Sequence, residues 1–347
     1  MTRIHDVVAR GLWLLDPEDA HHAGILALKL GLGPRARARH PMLRTRLAGL
    51  DLANCVGLAP GFDKNAEVFE PMLTAGFGFV ECGTVTPHPQ IGNARPRLFR
   101  LVEDQGVINR MGFNNAGLDS FAQRLAQRRH GIVGANIGAN KDSEDRIGDY
   151  VTGLQRLWGL ADYFSINISS PNTPGLRALQ TRDALNALLS RLAEARSKLP
   201  REGDVPVFLK VAPDLDDAEI ETIVEEVVAA QLSGIIVSNT TLSRNGLRSS
   251  NASQSGGLSG APLTALAQSM MCAFHTAAAG RLTLIGAGGI CSGETAYARI
   301  RAGAGAVQLY SALVFHGPSL VQRICDDLAK RLRADGFSSV AEAVGTG

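Results

Sequence analysis

The chain has 347 residues, of which 45% are hydrophobic and 20% are charged, and its formal net charge is +2. This is the composition of a globular protein with room for one large barrel and a small appendage, or for two ordinary domains. The small net charge argues against a nucleic-acid-binding protein, which would carry a strongly basic face. No segment reaches the roughly 20 apolar residues that a membrane span needs, and no secretory signal is visible.

The first 45 residues form a separate region. Apolar residues at helical spacing predict a first helix; they are Ile4, Val7, Val8, Leu12 and Leu15, with Gly11 on the same side. Asp16 as the N-cap and Pro17 in the first turn predict a second helix. One side of that helix carries Ala20, Ala23, Ala27 and Leu30.

A basic segment follows these two helices and contains Arg35, Arg37, Arg39, Arg44 and Arg46. Two short amphipathic helices flanked by arginines favour a domain, residues 1–45, that lies on a membrane surface. A helical cap packed on the rest of the chain, or a dimer contact, is the alternative.

Residues 46–347 alternate apolar strand-like segments with amphipathic helical ones. The predicted strands are 56–60, 78–81, 132–136, 163–168, 205–211, 234–238, 282–286 and 306–310. Strands that are nearly continuous apolar runs are typical of a parallel sheet covered on both faces. Eight such units predict an α/β fold, the (β/α)8 TIM barrel. A doubly wound sheet is the alternative, but the glycine cluster at 286–289 lacks the GxGxxG spacing of a dinucleotide fold.

Two segments interrupt the alternation. Residues 95–115 lie between the second and third strands and are predicted to form a β-hairpin insertion. Residues 241–261 are rich in Ser, Gly and Asn, and loops of this length are often active-site lids.

Polar residues follow nearly every predicted strand, and a TIM barrel builds its active site at these carboxyl ends. The segment 167–177 (NISSPNTPGLR) is the most informative, because it places two carboxamides and a hydroxyl on a proline-kinked loop. Amides suit a flat polar heterocycle, since each offers a donor and an acceptor. A similar group, SNTT at 238–241, follows the sixth strand.

The last two strand ends predict a phosphate site. Gly288-Gly289 and Tyr310-Ser311 each precede a predicted helix, and phosphates bind at such loops through backbone N–H groups. The histidines and the five cysteines are scattered, so no metal site is predicted. A phosphate site without a metal points to an organic cofactor. Lys210 fits a Schiff-base lysine or a fixed cation beside a flavin, and spacing alone does not choose between them.

Ten segments together resemble the class 2 dihydroorotate dehydrogenases, the quinone-linked flavin mononucleotide (FMN) enzymes of pyrimidine synthesis. They are APGFDKN (59–65), GTVTPHPQIGN (83–93), RPRLFRL (95–101), NRMGFNN (109–115), NISSPNTPGLR (167–177), KVAPDL (210–215), SNTT (238–241), GGLSGAPL (256–263), IGAGGI (285–290) and QLYSALVFHGP (308–318). The resemblance implies oxidation of (S)-dihydroorotate to orotate, with FMN as the hydride acceptor and a membrane quinone as the final acceptor.

The resemblance also implies residue roles. The FMN-binding positions would be Pro60, Gly61, Phe62, Asp63, Lys64, Thr84, Asn136, Asn167, Lys210, Ser238, Gly260, Gly289, Tyr310 and Ser311. The substrate-binding positions would be Lys64, Asn109, Arg110, Met111, Gly112, Phe113, Asn167, Asn172, Asn239 and Thr240. Ser170 would be the base that takes the C5 proton while hydride leaves C6. Lys64 would pair with the substrate carboxylate, and Lys210 would stabilise negative charge on the flavin.

Serine at the base position distinguishes class 2 from class 1, whose members carry cysteine there and lack the N-terminal helices. The resemblance therefore implies that residues 1–45 form a quinone entrance, with Arg100 and Tyr310 at its polar inner end. The protein would lie peripherally on the cytoplasmic face of the cell membrane. The alternatives are a soluble class 1-like enzyme using fumarate or NAD, and a lyase using Lys210 as a Schiff base.

Overall fold

The computed structural model describes residues 5–6, 10–36, 40–200 and 205–347. The strands of this described part are β1 (Thr45–Leu47), β2 (Leu50–Leu52), β3 (Val56–Leu58), β4 (Phe79–Val85), β5 (Leu98–Leu101), β6 (Gly106–Asn109), β7 (Ile132–Ile137), β8 (Tyr163–Asn167), β9 (Val207–Val211), β10 (Gly234–Val237), β11 (Gly257–Gly260), β12 (Thr283–Ala287) and β13 (Ala306–Leu309). Eight of them close into a parallel barrel in the order β10-β12-β13-β3-β4-β7-β8-β9. All eight predicted barrel strands are present, and the TIM-barrel class is confirmed.

Helices alternate with the barrel strands and cover their outer faces. The α-helices of the described part are α1 (Pro17–Lys29), α2 (Phe69–Ala75), α3 (Leu118–Leu125), α4 (Arg146–Leu157), α5 (Arg182–Ser197), α6 (Asp217–Ala229), α7 (Thr264–Ala278), α8 (Gly293–Arg301), α9 (Ala312–His316) and α10 (Leu320–Ala334). Among these, no helix is both long and apolar enough to cross a bilayer.

Aromatic rings fill the interior of the barrel. The rings of Phe79 and Phe208 both meet Tyr163 edge to face, at centroid distances of 6.3 and 5.7 Å. Glycine on the neighbouring strands makes the space, because a Cβ on Gly57 or Gly134 would collide with these rings. The barrel is therefore a packed core, and a ligand site is available only beyond the strand ends.

The insertion after β4 is the predicted hairpin, since β5 and β6 pair antiparallel. The expected lid, residues 241–261, differs from the prediction because its last part is strand β11, which pairs antiparallel with β6. The insertion is thus a three-stranded sheet, and the segment that was expected to be a free loop is held by it.

The second predicted N-terminal helix is α1, and Asp16 caps it by accepting the backbone N–H of Glu18 at 2.9 Å. Of the first predicted helix, Ile4, Val7 and Val8 lie outside the described residues, as do Arg37 and Arg39 of the basic segment. Residues Leu12–Leu14 form a single 3-10 turn, because the extended conformation of Leu15 and Asp16 before Pro17 ends the helix there. The proposed boundary at residue 46 falls inside β1, and the division into two domains stays a prediction.

Candidate active site

One cavity of about 620 Å³ connects α1 with the carboxyl ends of the barrel strands. Pro17, Ala20, His21 and Gly24 of α1 line one part of it. Of the predicted site residues, those lining the cavity are Pro60, Gly61, Phe62, Lys64, Thr84, Asn109, Met111, Gly112, Phe113, Asn167, Ser170, Asn172, Lys210, Ser238, Asn239, Thr240, Gly260, Gly289, Tyr310 and Ser311. The structure therefore brings together most of the side chains that sequence reasoning selected.

Asp63, Asn136 and Arg110 do not line this cavity. The Asp63 carboxylate accepts the backbone N–H groups of Glu67 and Val68, each at 2.8 Å, so it shapes the turn before α2. Burial raises the pKa of Asp63, while these two N–H groups oppose that rise. The Arg110 guanidinium instead binds Gln254 at 3.0 Å. Neither Asp63 nor Arg110 presents its side chain to a ligand in this cavity.

Asn136 is fully buried and supports residues that do line the cavity. Its Oδ1 accepts from Thr84 Oγ1 at 2.5 Å and from Asn167 Nδ2 at 3.2 Å. Its Nδ2 donates to Glu81 Oε1 at 2.8 Å. Because each amide is held on both sides, the side chain of Asn167 has a fixed orientation at the cavity wall.

Glu81 and Gln308 are polar residues of the site that sequence reasoning missed. Glu81 is fully buried and also accepts from Gln308 Nε2 at 2.6 Å and from the Tyr163 hydroxyl at 3.0 Å. Gln308 lines the cavity, and its Oε1 is buried without a hydrogen-bond partner in the described part of the chain. The available signal in the sequence was a carboxylate and an amide inside otherwise apolar strands. Such groups are rarely buried unless they are paired or hydrogen-bonded.

Lys210 is positioned by the barrel register. Asn167 of β8 lies directly beside Lys210 of β9, so the amide and the ammonium approach the cavity together. Burial lowers the pKa of Lys210, and the nearby charge of Glu81 opposes that shift. The cation is thus held in a water-poor environment, where its effect on a neighbouring negative charge is strong.

Backbone donors are available beyond the last two barrel strands. In the described part of the chain, four of these backbone N–H groups donate to no protein acceptor; they belong to Gly288, Gly289, Tyr310 and Ser311. Gly289 has φ +72°, and a Cβ there would collide with the backbone of Thr264, so only glycine allows this close approach. The arrangement suits a phosphate group, which such N–H groups bind.

Ser170 lies on the loop after β8 and is 6% exposed. Its Oγ accepts the backbone N–H of Asn172 at 3.3 Å. Asn172 in turn donates from Nδ2 to Asn109 Oδ1 at 3.1 Å, and Asn239 donates to Asn167 Oδ1 at 3.1 Å. A hydroxyl and four carboxamides are therefore grouped on one side of the cavity, as a small heterocycle with amide edges requires.

Arg177 and Asp214 tie the loops of this group together, and sequence reasoning assigned them no role. Arg177 NH2 donates to the Thr240 carbonyl at 3.0 Å, and Arg177 NH1 binds Asp214 Oδ2 at 2.9 Å. Asp214 also accepts from the Thr241 hydroxyl. One arginine thus joins the loops after β9 and β10 to its own loop after β8.

Two basic groups that line the cavity, His21 of α1 and Lys64 of the loop after β3, have lowered pKa values. Burial, with the charges of Lys64 and His22, lowers the pKa of His21 to about 3, so its imidazole is neutral. Burial lowers the pKa of Lys64 to about 8, although the charge of Glu18 opposes this shift. His21 Nδ1 lies 3.3 Å from the Tyr310 hydroxyl, whose pKa is raised by burial.

Arg100 faces the cavity but its guanidinium is engaged by the N-terminal segment. It donates to the carbonyl oxygens of Trp13 and Leu15, each at 2.9 Å. The indole of Trp13 adds a second contact between this segment and the barrel, because its Nε1 donates to the Val314 carbonyl at 2.8 Å. The N-terminal segment is therefore fixed to the barrel on the side where the cavity is apolar.

The chain matches the family model described as dihydroorotate dehydrogenase over residues 42–332. A dihydroorotate dehydrogenase (quinone) from Azorhizobium caulinodans is 54% identical over 350 residues, covering 99% of this chain and 98% of the relative. The protein of the same name from Sphingopyxis alaskensis is 56% identical over 96% of this chain and 94% of its own. A solved structure of dihydroorotate dehydrogenase from Eimeria tenella in complex with ferulenol has a TM-score of 0.92 at 39% identity, covering 96% of this chain and 98% of that one.

Proposed function

Because the chain belongs to the dihydroorotate dehydrogenase family, we propose that it oxidises (S)-dihydroorotate to orotate and delivers the electrons, through bound FMN, to a membrane quinone. The observation that carries this proposal is a continuous cavity that joins the polar residues of the strand ends to the apolar residues of α1. One end suits a polar anionic substrate and the other suits an apolar acceptor.

The residues present fit a flavin. Family membership implies a flavin cofactor, and the phosphate of FMN would be held by the N–H groups at Gly289 and Ser311. The isoalloxazine ring has one N–H donor and two carbonyl acceptors. These complement the unpartnered amide oxygen of Gln308 and the ammonium of Lys210 at the cavity wall.

The flavin, when bound, supplies the hydride acceptor, and the protein supplies positioning, charge and a base. Lys64 would bind the substrate carboxylate, and the amides of Asn109, Asn172 and Asn239 would bind the edges of the ring. Lys210 would hold a fixed positive charge where negative charge develops during the reaction. No part of this scheme needs a metal ligand.

Ser170 would take the proton from C5 of the substrate. Its Oγ already accepts the Asn172 N–H, so that contact fixes the oxygen while its own proton remains free to be passed on. Serine is a weak base by itself, and it must transfer the proton further. Thr173, which is buried three residues along the same loop, is the proposed next hydroxyl.

The N-terminal region would lie on a membrane and admit the quinone. Five leucines of this region are strongly exposed, namely Leu14, Leu15, Leu26, Leu30 and Leu32. Exposed apolar side chains grouped on an amphipathic element are typical of interfacial binding. These side chains support peripheral binding to a membrane, and we propose the cytoplasmic face as the location.

The soluble alternative, with fumarate or NAD as acceptor, makes a different prediction about electron acceptors. Purified FMN-loaded protein should turn over dihydroorotate with a short-tailed ubiquinone analogue, and formation of orotate should follow quinone reduction. Fumarate and NAD should support little or no turnover. Turnover with fumarate or NAD that equals turnover with the quinone would contradict the proposal.

A further inference from the structure

Glu18 is buried although it belongs to the first turn of an amphipathic helix. It is 2% exposed, and its carboxylate accepts from Arg97 Nε at 3.0 Å and from Arg97 NH2 at 2.6 Å. Arg95 approaches the same carboxylate at 3.1 Å. Burial by itself raises the pKa of Glu18, but Arg97 and Arg95 bring it below its ordinary value, so the group is ionised. A bidentate ion pair between Glu18 and Arg97 thus joins α1 to the hairpin insertion.

Arg97 also holds the turn that precedes it. Its remaining nitrogen, NH1, donates to the carbonyl oxygens of Ile91 and Asn93, each at 2.7 Å. Arg97 is itself only 6% exposed. The hydrogen bonds to Glu18 set the orientation of the Arg97 guanidinium. In that orientation its NH1 reaches the carbonyl groups of residues 91 and 93 and holds the turn.

Asn93 connects this turn to the substrate side of the cavity. Its Nδ2 donates to the carbonyl oxygens of Arg110 at 3.0 Å and of Asn172 at 3.1 Å. Its backbone N–H donates to the Met111 carbonyl at 3.0 Å. Met111 and Asn172 both line the cavity. A continuous series of hydrogen bonds thus runs from α1 to the residues that would hold the substrate.

We propose that Glu18 is a positioning residue for the dihydroorotate pocket, acting through Arg97 and Asn93 on Asn172 and the 110–111 backbone. This inference rests on the proposed function, because it assigns the polar end of the cavity to dihydroorotate. It gives α1 a second role: the helix at the quinone side also sets the geometry of the substrate side. Removing one partner of a buried ion pair leaves the other charge unpaired, so Arg97 would reorient and release the 91–93 turn.

The test compares Glu18→Gln with Asp19→Asn in full-length, FMN-loaded protein. Asp19 is the matched control, because it is the next residue of α1 and forms only an exposed pair with Arg95. Calorimetric titration measures the dissociation constant of orotate at about pH 6, well below the pKa of Lys64, so that loss of the nearby Glu18 charge does not act through deprotonation of Lys64. A separate experiment reduces the flavin photochemically, without dihydroorotate, and measures its reoxidation by a small soluble acceptor, a readout that needs no bound substrate.

We expect Glu18→Gln to weaken orotate binding by roughly tenfold to a hundredfold, the effect of a small misplacement of binding groups. Reoxidation should change by less than about twofold, and Asp19→Asn should be within about twofold of wild type in both measurements. A merely structural defect would instead lower flavin content and reoxidation together with orotate binding. That outcome would contradict the positioning role.

Arg97→Lys provides a second, independent variant. Lysine keeps the positive charge but lacks the planar guanidinium that binds Glu18 and the two carbonyl groups at the same time. Arg97→Lys should therefore weaken orotate binding while leaving flavin reoxidation nearly unchanged. Unchanged orotate binding in either variant, with wild-type protein that binds orotate, would overturn the inference. Wild-type protein that binds no orotate would contradict the proposed function itself.

Discussion

Arg177 Nε donates a hydrogen bond to the carbonyl oxygen of Ser169, at 3.1 Å, directly before the proposed base Ser170. The same guanidinium holds the Thr240 carbonyl and pairs with Asp214. Ser170 is therefore placed by a side chain that also sets the two neighbouring strand-end loops. Arg177, to which the sequence assigned no role, is therefore a structural part of the site.

Arg177→Gln should disturb this placement without removing a group that contacts substrate. We expect flavin reduction by dihydroorotate to slow by roughly tenfold to a hundredfold, because small misplacements of catalytic groups have effects of this size. Arg156→Gln is the control, since Arg156 forms an exposed pair with Asp119. Stopped-flow absorbance measures the rate. If both variants reduce their flavin equally fast, Arg177 does not position the base.

Ser170→Ala should leave FMN and orotate bound while removing the proposed base. The expected slowing of flavin reduction is roughly 10²–10⁴-fold, the usual contribution of a positioned acid or base. Flavin content and orotate titration serve as controls for an intact site. A single-turnover reduction rate close to that of wild type would assign the proton transfer to another group.

Orotate binding should depend on the protonation of Lys64. The pKa of Lys64 is lowered to about 8 by burial, so the ammonium that binds the carboxylate is complete below that pH and is lost above it. The dissociation constant of orotate should be constant below about pH 8 and should rise at higher pH. In Lys64→Arg the rise should disappear, because a guanidinium keeps its charge over this range. A wild-type constant that does not change between pH 7 and about pH 9.5 would exclude Lys64 as the carboxylate partner.

Loss of Lys64 altogether should weaken orotate binding strongly. In Lys64→Met the charged contact is removed from a buried site, which should cost about 2–5 kcal/mol of binding free energy. The flavin spectrum should still show bound cofactor. Orotate affinity equal to that of wild type would place the substrate carboxylate elsewhere in the cavity.

The exposed leucines at the C-terminal end of α1 should determine membrane binding. Leu26 and Leu30 are 58% and 67% exposed, and neither lines the cavity. Replacing both by Gln should reduce liposome binding by roughly a hundredfold, given the transfer free energy of two leucine side chains. Leu242→Gln is the control, because Leu242 is exposed outside α1. Liposome flotation measures the effect, and equal flotation of the double variant and wild type would refute a membrane role for this face.

The sequence was sufficient to predict the eight barrel strands but not the third strand of the insertion sheet. Strands such as β8 and β10 are mostly apolar and are buried on both faces, so they can be recognised from the sequence alone. β11 was not predicted, because Gly257–Gly260 has low β propensity and becomes a strand only by pairing with β6, far away along the chain. Tertiary contacts determined that element.

The residues of the candidate site also differ in whether the sequence could predict them. Side chains at strand ends, such as Asn167 and Lys210, could be selected because the fold fixes where strand ends meet. Glu81 lies within β4, and its role emerges only when its partners on other strands are known. The Glu18–Arg97 pair joins residues 79 positions apart, so neither residue alone indicates the contact.

In the proposed function, a flavin bound in one cavity would take electrons from dihydroorotate and pass them to a quinone. The most direct test mixes dihydroorotate with FMN-loaded protein under anaerobic conditions, records the visible flavin absorbance, and then adds a short-tailed ubiquinone analogue. We predict that dihydroorotate bleaches the flavin while orotate forms in proportion, and that the quinone restores the oxidised spectrum. A flavin that dihydroorotate does not bleach, or that the quinone does not reoxidise, would contradict the account.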